Sequence, residues 1–199
     1  MKYRKLANEE LNRPEIEEFK AKEKAGIIII LDNIRSLNNI GSVFRTADAF
    51  AIEQIILCGI TAQPPHREIN KTALGATESV EWKHLSTTLE AIGEVKEKGY
   101  TVAAIEQTEN STLLNEFKPQ KGQKMALIFG HEVKGVSQEA INASDCVLEI
   151  PQQGTKHSLN ISVSVGVVLW DIIEKMNSKK ESWDKIRDKL KENPIVTDV

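Results

Sequence analysis

The chain has 199 residues, of which 40% are hydrophobic and 28% are charged, and its formal net charge is −3. This composition is typical of a globular protein with one main domain and excludes a disordered chain. The negative net charge argues against a protein that coats nucleic acid without specificity, because such proteins bind mainly by neutralising phosphates, but it allows a local basic patch.

No stretch of the sequence predicts a membrane span or a secretion signal. The longest apolar runs, residues 27 to 31 and 165 to 170, are far shorter than the roughly 20 residues that cross a bilayer. The charged residues 1 to 5 lack the apolar stretch of a signal peptide. We therefore expect a cytoplasmic protein with no membrane partner.

The cysteines and histidines give no sign of a disulfide or a metal site. Cys58 and Cys146 each border an apolar, strand-like run, so we interpret both as small core residues. The four histidines, at positions 66, 84, 131 and 157, show no paired spacing. Zinc ligands usually come in such pairs, so no metal site is predicted.

Strand and helix patterns alternate along residues 26 to 176. The predicted strands cover residues 27 to 31, 54 to 58, 100 to 105, 125 to 129 and 146 to 150. The predicted helices cover residues 39 to 51, 85 to 98, 137 to 142 and 159 to 176. Continuous apolar strands separated by helices predict an α/β fold, with a mostly parallel sheet covered by helices on both faces.

Charged segments flank this predicted domain. Residues 14 to 25 place acids before lysines, the order that suits a helix dipole, so we expect a surface helix in an N-terminal extension, residues 1 to 25. In the C-terminal tail, residues 177 to 199, Trp183, Ile186 and Leu190 recur at helical spacing. This predicts an amphipathic helix over residues 179 to 192 that docks on its own core or on a partner subunit.

Residues 161 to 165 allow two interpretations. Their apolar and polar side chains alternate, which favours a strand. The hydrophobic stretch nevertheless continues to residue 176 without a turn signal, which is too long for a strand in a domain of this size. We therefore predict a helix.

Three stretches carry residues suited to a binding or catalytic site, and the first surrounds Arg45. Asn38 or Asn39 suits a helix cap, and the apolar residues that follow fall on one helical face. Arg45 lies beside that face, where it either pairs with Asp48 or holds a phosphate or a hydroxyl.

The second stretch is a turn after a predicted strand. Gly130 follows the strand directly, which lets a ligand approach the backbone, and Glu132 lies at the strand's carboxyl end, where open α/β sheets bind ligands. The G-x-x-x-x-G spacing from Gly130 to Gly135 is not followed by the Lys-Ser or Lys-Thr pair of a P-loop, and the sequence contains no G-x-G-x-x-G fingerprint. A nucleotide site of either kind is therefore not expected.

The third stretch is a loop between a strand and a helix, residues 150 to 160. Pro151 and Gly154 break regular structure, and Ser158 and Asn160 lie where the helix should begin. A strand, an exposed loop and a polar helix start often form a ligand site in α/β proteins.

Together the three stretches resemble the motifs of SpoU-type (TrmH-like) RNA 2′-O-ribose methyltransferases of the SPOUT superfamily. The matching segments read N-N-I-G-S-V-F-R-T-A-D-A, I-F-G-H-E-V-K-G and E-I-P-Q-Q-G-T-K-H-S-L-N-I-S-V-S-V. The resemblance covers residues 26 to 176 and includes the segment 71 to 76. Departures from the pattern are His131, where many relatives carry Asn, and Gln152-Gln153, which replace the commoner Met-x.

The resemblance implies a SPOUT methyltransferase domain with a C-terminal trefoil knot, the cofactor S-adenosyl-L-methionine and a homodimer. It implies that the cofactor is bound by the loops at Gly130, Ile150 and Leu159, with residues 105 to 107 on the adenine side. It gives Arg45 the removal of the hydroxyl proton, assisted by Asn39, Glu132, Ser158 and Asn160. An arginine is a poor base, so Arg45 is either strongly perturbed or orients the substrate while another group takes the proton.

The same resemblance implies methylation of a ribose 2′-hydroxyl in RNA, with a guanosine of tRNA preferred over rRNA. Several rRNA-methylating relatives carry an N-terminal RNA-binding domain, whereas only residues 1 to 25 precede the first predicted strand. Loop cations could line an RNA groove or be ordinary solvated charges: Arg35, His66, Arg67, Lys71 and Lys156. The rival hypotheses are a non-catalytic RNA-binding factor on the same fold and a small-molecule enzyme of the doubly wound type.

Overall fold

A parallel sheet forms the centre of the computed structural model, which describes residues 3–11, 13–120 and 122–176. Within these residues the strands are β1 (Ile27–Asp32), β2 (Gln54–Cys58), β3 (Trp82–Leu85), β4 (Thr101–Ile105), β5 (Thr112–Leu113), β6 (Met125–Phe129) and β7 (Cys146–Glu149). Their order across the sheet is β3-β2-β1-β6-β4-β7-β5, and every pairing is parallel.

Helices connect these strands. A 3-10 helix (Asn8–Leu11) precedes α1 (Ile16–Ala21), α2 (Leu37–Ala49), α3 (Arg67–Ala73), α4 (Ala76–Ser79), α5 (Thr88–Glu97), α6 (Gln138–Ala143) and α7 (Ile161–Met176). None of the helices in the described residues is long and apolar enough to span a membrane.

Side chains of alternate strand residues build two hydrophobic cores, one on each face of the sheet. On one face Ile29 and Leu31 of β1 pack with residues of α2 and α7, such as Phe44 and Val168. On the other face Ile30 packs with residues of α5 and α6. Because successive side chains of a strand point to opposite faces, the continuous apolar run of β1 supplies both cores. The predicted α/β fold with helices on both faces is confirmed.

The helical interpretation of residues 161 to 165 is also confirmed. Val165, Val168, Leu169 and Ile172 are buried at helical spacing in α7. The helix begins at Ile161 rather than at residue 159, because the Asn160 side chain accepts a hydrogen bond from the Ser162 amide at 2.9 Å and so caps the first turn.

Some elements differ from the prediction. Ser36, and not Asn38 or Asn39, caps α2 by accepting from the Asn39 amide. Strands β3 and β5 and helices α3 and α4 were not predicted from the sequence, and the predicted helix 85 to 98 begins only at Thr88. The predicted amphipathic helix 179 to 192 lies outside the described residues. The trefoil knot and the domain boundaries stay predictions.

Candidate active site at the carboxyl ends of the strands

The three motifs meet at the edge of the sheet formed by the carboxyl ends of the strands. β1 and β6 are neighbours, with Leu31 beside Phe129. The chain leaves β1 toward β2 on one side, and it leaves β6 toward β7 on the other. Such a divergence opens a crevice between two loops, where α/β proteins bind ligands.

Glu132 lies in this crevice and joins the loop after β6 to the start of α2. One carboxylate oxygen accepts from the Arg35 amide at 3.1 Å, and the other accepts from the Ser36 amide at 2.9 Å and from Asn39 Nδ2 at 3.2 Å. Burial alone would raise the pKa of Glu132, but hydrogen bonds from its own amide and from these three donors outweigh burial and lower it. Glu132 is therefore an ionised anchor at neutral pH.

Asn39 links that anchor to the third motif. Its Oδ1 accepts from Nδ2 of Asn160 at 3.2 Å, while its own Nδ2 donates to Glu132. Asn160, Asn39 and Glu132 thus form one hydrogen-bonded chain across residues that are far apart in sequence. We call these three side chains the polar chain.

A tight turn, residues 131 to 135, follows Gly130 and leaves it no room for a side chain. A Cβ atom on Gly130 would lie 2.1 Å from the carbonyl carbon of Gly135 and from the Val136 amide nitrogen. The Val136 amide donates to Glu106 at 2.9 Å, which fixes the turn against the end of β4. The close packing makes the Gly130 backbone part of the site wall.

The loop after β7 closes this arrangement. Gln107 Nε2 donates to the carbonyl oxygen of His157 at 2.9 Å, so the loops after β4 and β7 meet. Ser158 is exposed, and Leu159 is 41% exposed. Ile150 and Pro151 line a cavity of about 550 Å³ between this loop and α7, together with Leu114, Gly166 and Val167.

The sequence profile of a family described as SpoU rRNA methylase matches residues 26–170. The chain belongs to the SpoU rRNA methylase family. A protein of Borreliella burgdorferi, described as an uncharacterized tRNA/rRNA methyltransferase, is 32% identical over 165 residues, which make up 81% of this chain and 69% of that protein. The chain spans about two thirds of the length of the curated relatives it matches, from 62% to 69% for the first few.

Solved structures of SpoU proteins share the fold. The TrmH/SpoU tRNA modifying enzyme of A. aeolicus superposes with a TM-score of 0.71 at 22% identity, over 89% of this chain and 93% of that one. The SpoU methyltransferase AviRb of Streptomyces viridochromogenes, solved with the cofactor AdoMet, has a TM-score of 0.71 at 20% identity, over 80% and 64% of the two chains. At these identities the likeness shows the SpoU fold alone.

Arg45 of this SpoU chain is not a member of the polar chain. It is exposed on α2, and within the described residues its side chain forms no hydrogen bond or ion pair. The pair that the sequence allows between Arg45 and Asp48 is not formed, because Asp48 accepts from Ser79 Oγ at 2.6 Å instead. The guanidinium is therefore available to a ligand.

The structure also brings in residues that the sequence analysis missed. Asp32 is 1% exposed at the end of β1, where it accepts from Thr88 Oγ1 at 2.6 Å and from the Ser137 amide at 2.9 Å. It thereby fixes the starts of α5 and α6. The sequence signal that could have identified Asp32 is a charged residue at the end of an otherwise apolar strand.

The segment 71 to 76 of this SpoU chain packs against α2. Thr72 Oγ1 donates to the carbonyl oxygen of Asn38 at 3.0 Å, and a Cβ atom on Gly41 would lie 2.1 Å from Thr72 Oγ1. This contact places α3, with the exposed Arg67 and Lys71, beside the start of α2. In the described part of the chain, no three His, Cys, Asp or Glu side chains cluster as metal ligands would.

Proposed function

We propose that this protein is an S-adenosyl-L-methionine-dependent RNA methyltransferase that methylates a ribose 2′-hydroxyl. The single observation that carries the proposal is the polar chain, because it gathers one side chain from each of three motifs at one crevice. A rigid, pre-oriented set of polar groups is what positions a weak nucleophile such as a hydroxyl for in-line attack. Membership of the SpoU family supports the same chemistry.

The loops around the crevice suit the cofactor. The crowded glycine at position 130 presents backbone groups and no side chain, and the loops after β4, β6 and β7 meet there. We assign cofactor contacts to Gly130, Ile150 and Leu159. AviRb, which shares the fold, was solved in complex with AdoMet. When bound, S-adenosyl-L-methionine supplies an activated methyl group, so the protein has to place the hydroxyl and help remove its proton.

Side chains of the site divide that work. Glu132, held as a carboxylate by three donors, fixes the loop after β6 and the amide of Asn39 rather than accepting the proton. Asn39 and Asn160 present their amides beside it, and Ser158 offers an exposed hydroxyl to the substrate. Arg45 faces solvent, and its planar fork of donors suits a ribose and its phosphate, so we assign Arg45 the orientation of the substrate.

The proposed substrate is RNA in the cytoplasm, with a guanosine of tRNA preferred. Exposed Arg67 and Lys71 recur at i and i+4 on α3, while Arg35 and Lys156 are exposed on the loops next to the crevice. Together these cations form a basic margin that suits a phosphate backbone, although the net charge of the whole chain is −3. The A. aeolicus tRNA modifying enzyme has the same fold and nearly the same length.

We also propose that the protein is a homodimer. On α7 the side chains of Val163, Val167 and Trp170 are 50%, 40% and 55% exposed, at i, i+4 and i+7 of one helical face. An apolar stripe of this kind next to a ligand site is typical of a protein interface. Since the stripe borders the cavity at Ile150, a second copy docked there would help to enclose the site.

Methyl transfer from labelled cofactor to total tRNA and total rRNA tests the proposal. The expected result is label in tRNA, with a 2′-O-methylguanosine found on mapping by mass spectrometry. Label in rRNA alone would show that the substrate is rRNA and not tRNA. Label on a base would overturn the assignment of the ribose as the methylated group. Calorimetric titration with S-adenosyl-L-methionine separates the enzyme from a non-catalytic RNA-binding factor, because only the enzyme must bind the cofactor.

A further inference from the structure

The turn that carries Glu132 is built on the ring of His131. Nδ1 of this histidine accepts hydrogen bonds from the amides of Val133 at 3.0 Å and Lys134 at 3.3 Å. The carbonyl oxygen of His131 accepts from the Gly135 amide at 2.8 Å, which closes the turn. One ring nitrogen therefore satisfies two of the backbone donors of a five-residue turn.

That contact requires a neutral imidazole. Nδ1 can accept a hydrogen bond only when its lone pair is free, which places the ring proton on Nε2. In the protonated ring Nδ1 is a donor, and it would face two other donors. Protonation of His131 therefore opposes the turn as the structure has it.

The turn and the polar chain are coupled through one residue. Glu132 follows His131 directly, and its carboxylate holds the amides of Arg35 and Ser36 and the side chain of Asn39. If the turn opens, the Glu132 backbone moves and these hydrogen bonds loosen. The start of α2 and the amide of Asn39 then lose their anchor.

We propose that His131 is a positioning residue that makes methyl transfer depend on pH, with its neutral ring holding Glu132 in place and its protonated ring releasing it. The inference rests on the proposed function only for its activity readout. The hydrogen-bonding role of the ring can be measured whether or not RNA is the substrate.

Other charged groups lie on and around the turn. Those on the turn and on the segments that contact it are Glu132, Lys134, Arg35, Glu106 and Asp32. Carboxylic acids titrate in the acidic range, and the pKa of Glu132 is lowered further by its donors. Lysine and arginine keep their charge at neutral pH, whereas histidine titrates between about pH 5 and 8.

Two variants at position 131 test the role of Nδ1 as a hydrogen-bond acceptor. Asn places its Oδ1 where the ring places Nδ1 and does not titrate, while Leu has the same branching without an acceptor. We expect the wild-type kcat to fall as the pH drops from about 7 to 5.5. For His131→Asn we expect kcat within about threefold of the wild type at about pH 8, and no such fall. For His131→Leu we expect kcat to fall about tenfold at every pH. The far-ultraviolet circular dichroism spectrum serves as the folding control for both variants.

The outcomes separate the inference from the proposed function. An acidic fall in kcat that persists in His131→Asn, or full activity of His131→Leu, overturns the inference. If the wild type methylates no RNA, the proposed function fails, and nitrogen NMR of the wild-type imidazole still decides the role of His131. Two NMR results support the inference: at about pH 8 the ring carries its proton on Nε2 and none on Nδ1, and on acidification the amide resonances of Val133 and Lys134 leave their original positions. An Nδ1-protonated neutral ring overturns it.

Discussion

Nδ2 of Asn160 donates a hydrogen bond of 3.2 Å to Oδ1 of Asn39, although 121 residues separate the two in sequence. The orientation of both amides is fixed by their other partners. Oδ1 of Asn160 accepts from the amide and the hydroxyl of Ser162, so its Nδ2 faces Asn39, and Nδ2 of Asn39 in turn faces Glu132. The first turn of α7 and the first turn of α2 are thereby held in one geometry.

Replacing Asn39 by Asp should disrupt this geometry through charge. The new carboxylate would keep the bond from Asn160 but would face the Glu132 carboxylate without a donor, and methyl transfer should fall roughly tenfold to a hundredfold. The wild-type Glu132 interaction is present above the unfolded pKa and is lost as pH falls through the lowered folded pKa. In Asn39→Asp the pKa of Glu132 should rise, so the Glu132 interaction should be lost at a higher pH than in the wild type. Carbon NMR of the Glu132 carboxyl group measures this titration. Asn38→Asp adds the same charge on the exposed side and should leave the Glu132 titration unchanged.

The local part of this arrangement could be predicted from the sequence, and the long-range part could not. The apolar runs of β1, β2 and β6 predict their strands, because each run is too short for a helix. The cap of α2 depends on contacts that are distant in sequence. Ser36 is preferred over Asn38 because its amide also reaches Glu132, 96 residues away.

The short strands and helices could not be predicted either, because they also depend on contacts that are distant in sequence. Strand β5 has two residues, Thr112 and Leu113, and is a strand because it pairs with β7. Helices α3 and α4 have seven and four residues, below the length at which periodicity is informative. The packing of α3 depends on Gly41, whose missing side chain lets α3 approach α2.

Arg45→Ala should stop turnover without weakening the fold. The guanidinium is exposed and makes no hydrogen bond or ion pair with other described residues, so the melting temperature should stay within about 2 °C of the wild type. Methyl transfer should fall about a hundredfold or more, because the charged fork that orients the substrate is lost. Cofactor affinity by calorimetry should be nearly unchanged. Arg45→Lys keeps the charge without the fork and should retain intermediate activity; near-normal turnover of Arg45→Ala would refute the assignment.

Gly130→Ala tests the crowded backbone of the cofactor loop. The added Cβ would lie 2.1 Å from backbone atoms of Gly135 and Val136, which cannot move aside as a flexible side chain could. We expect the free energy of unfolding to fall by about 1 to 3 kcal/mol and cofactor affinity to fall with it. Gly154→Ala is the matched control in the loop after β7, since no atom of the described residues lies within 4 Å of its Cβ position. Equal cofactor affinities in the two variants would show that the Gly130 backbone is not part of the binding site.

The double variant Val163→Glu/Val167→Glu tests the homodimer. Both side chains are on the exposed stripe of α7, and two buried carboxylates without partners would oppose association. Light scattering should give a dimer mass for the wild type and half that mass for the variant. Leu89→Glu, at a 48% exposed position on α5 across the sheet, should leave the dimer intact. A wild-type monomer at micromolar concentration would contradict the proposal.

Neutralising Lys71 and Lys156 should reveal whether the basic margin binds phosphates. Each lysine that contacts a phosphate contributes about 0.7 to 0.9 to the slope of log affinity against log salt concentration, because it releases one condensed cation. We therefore expect Lys71→Ala and Lys156→Ala each to weaken RNA binding and to reduce that slope by about this amount. Lys98→Ala removes an exposed lysine that precedes β4 at the opposite edge of the sheet and should leave the slope unchanged. If all three variants keep the wild-type slope, the loop cations are solvated charges and the RNA contacts lie elsewhere on the molecule.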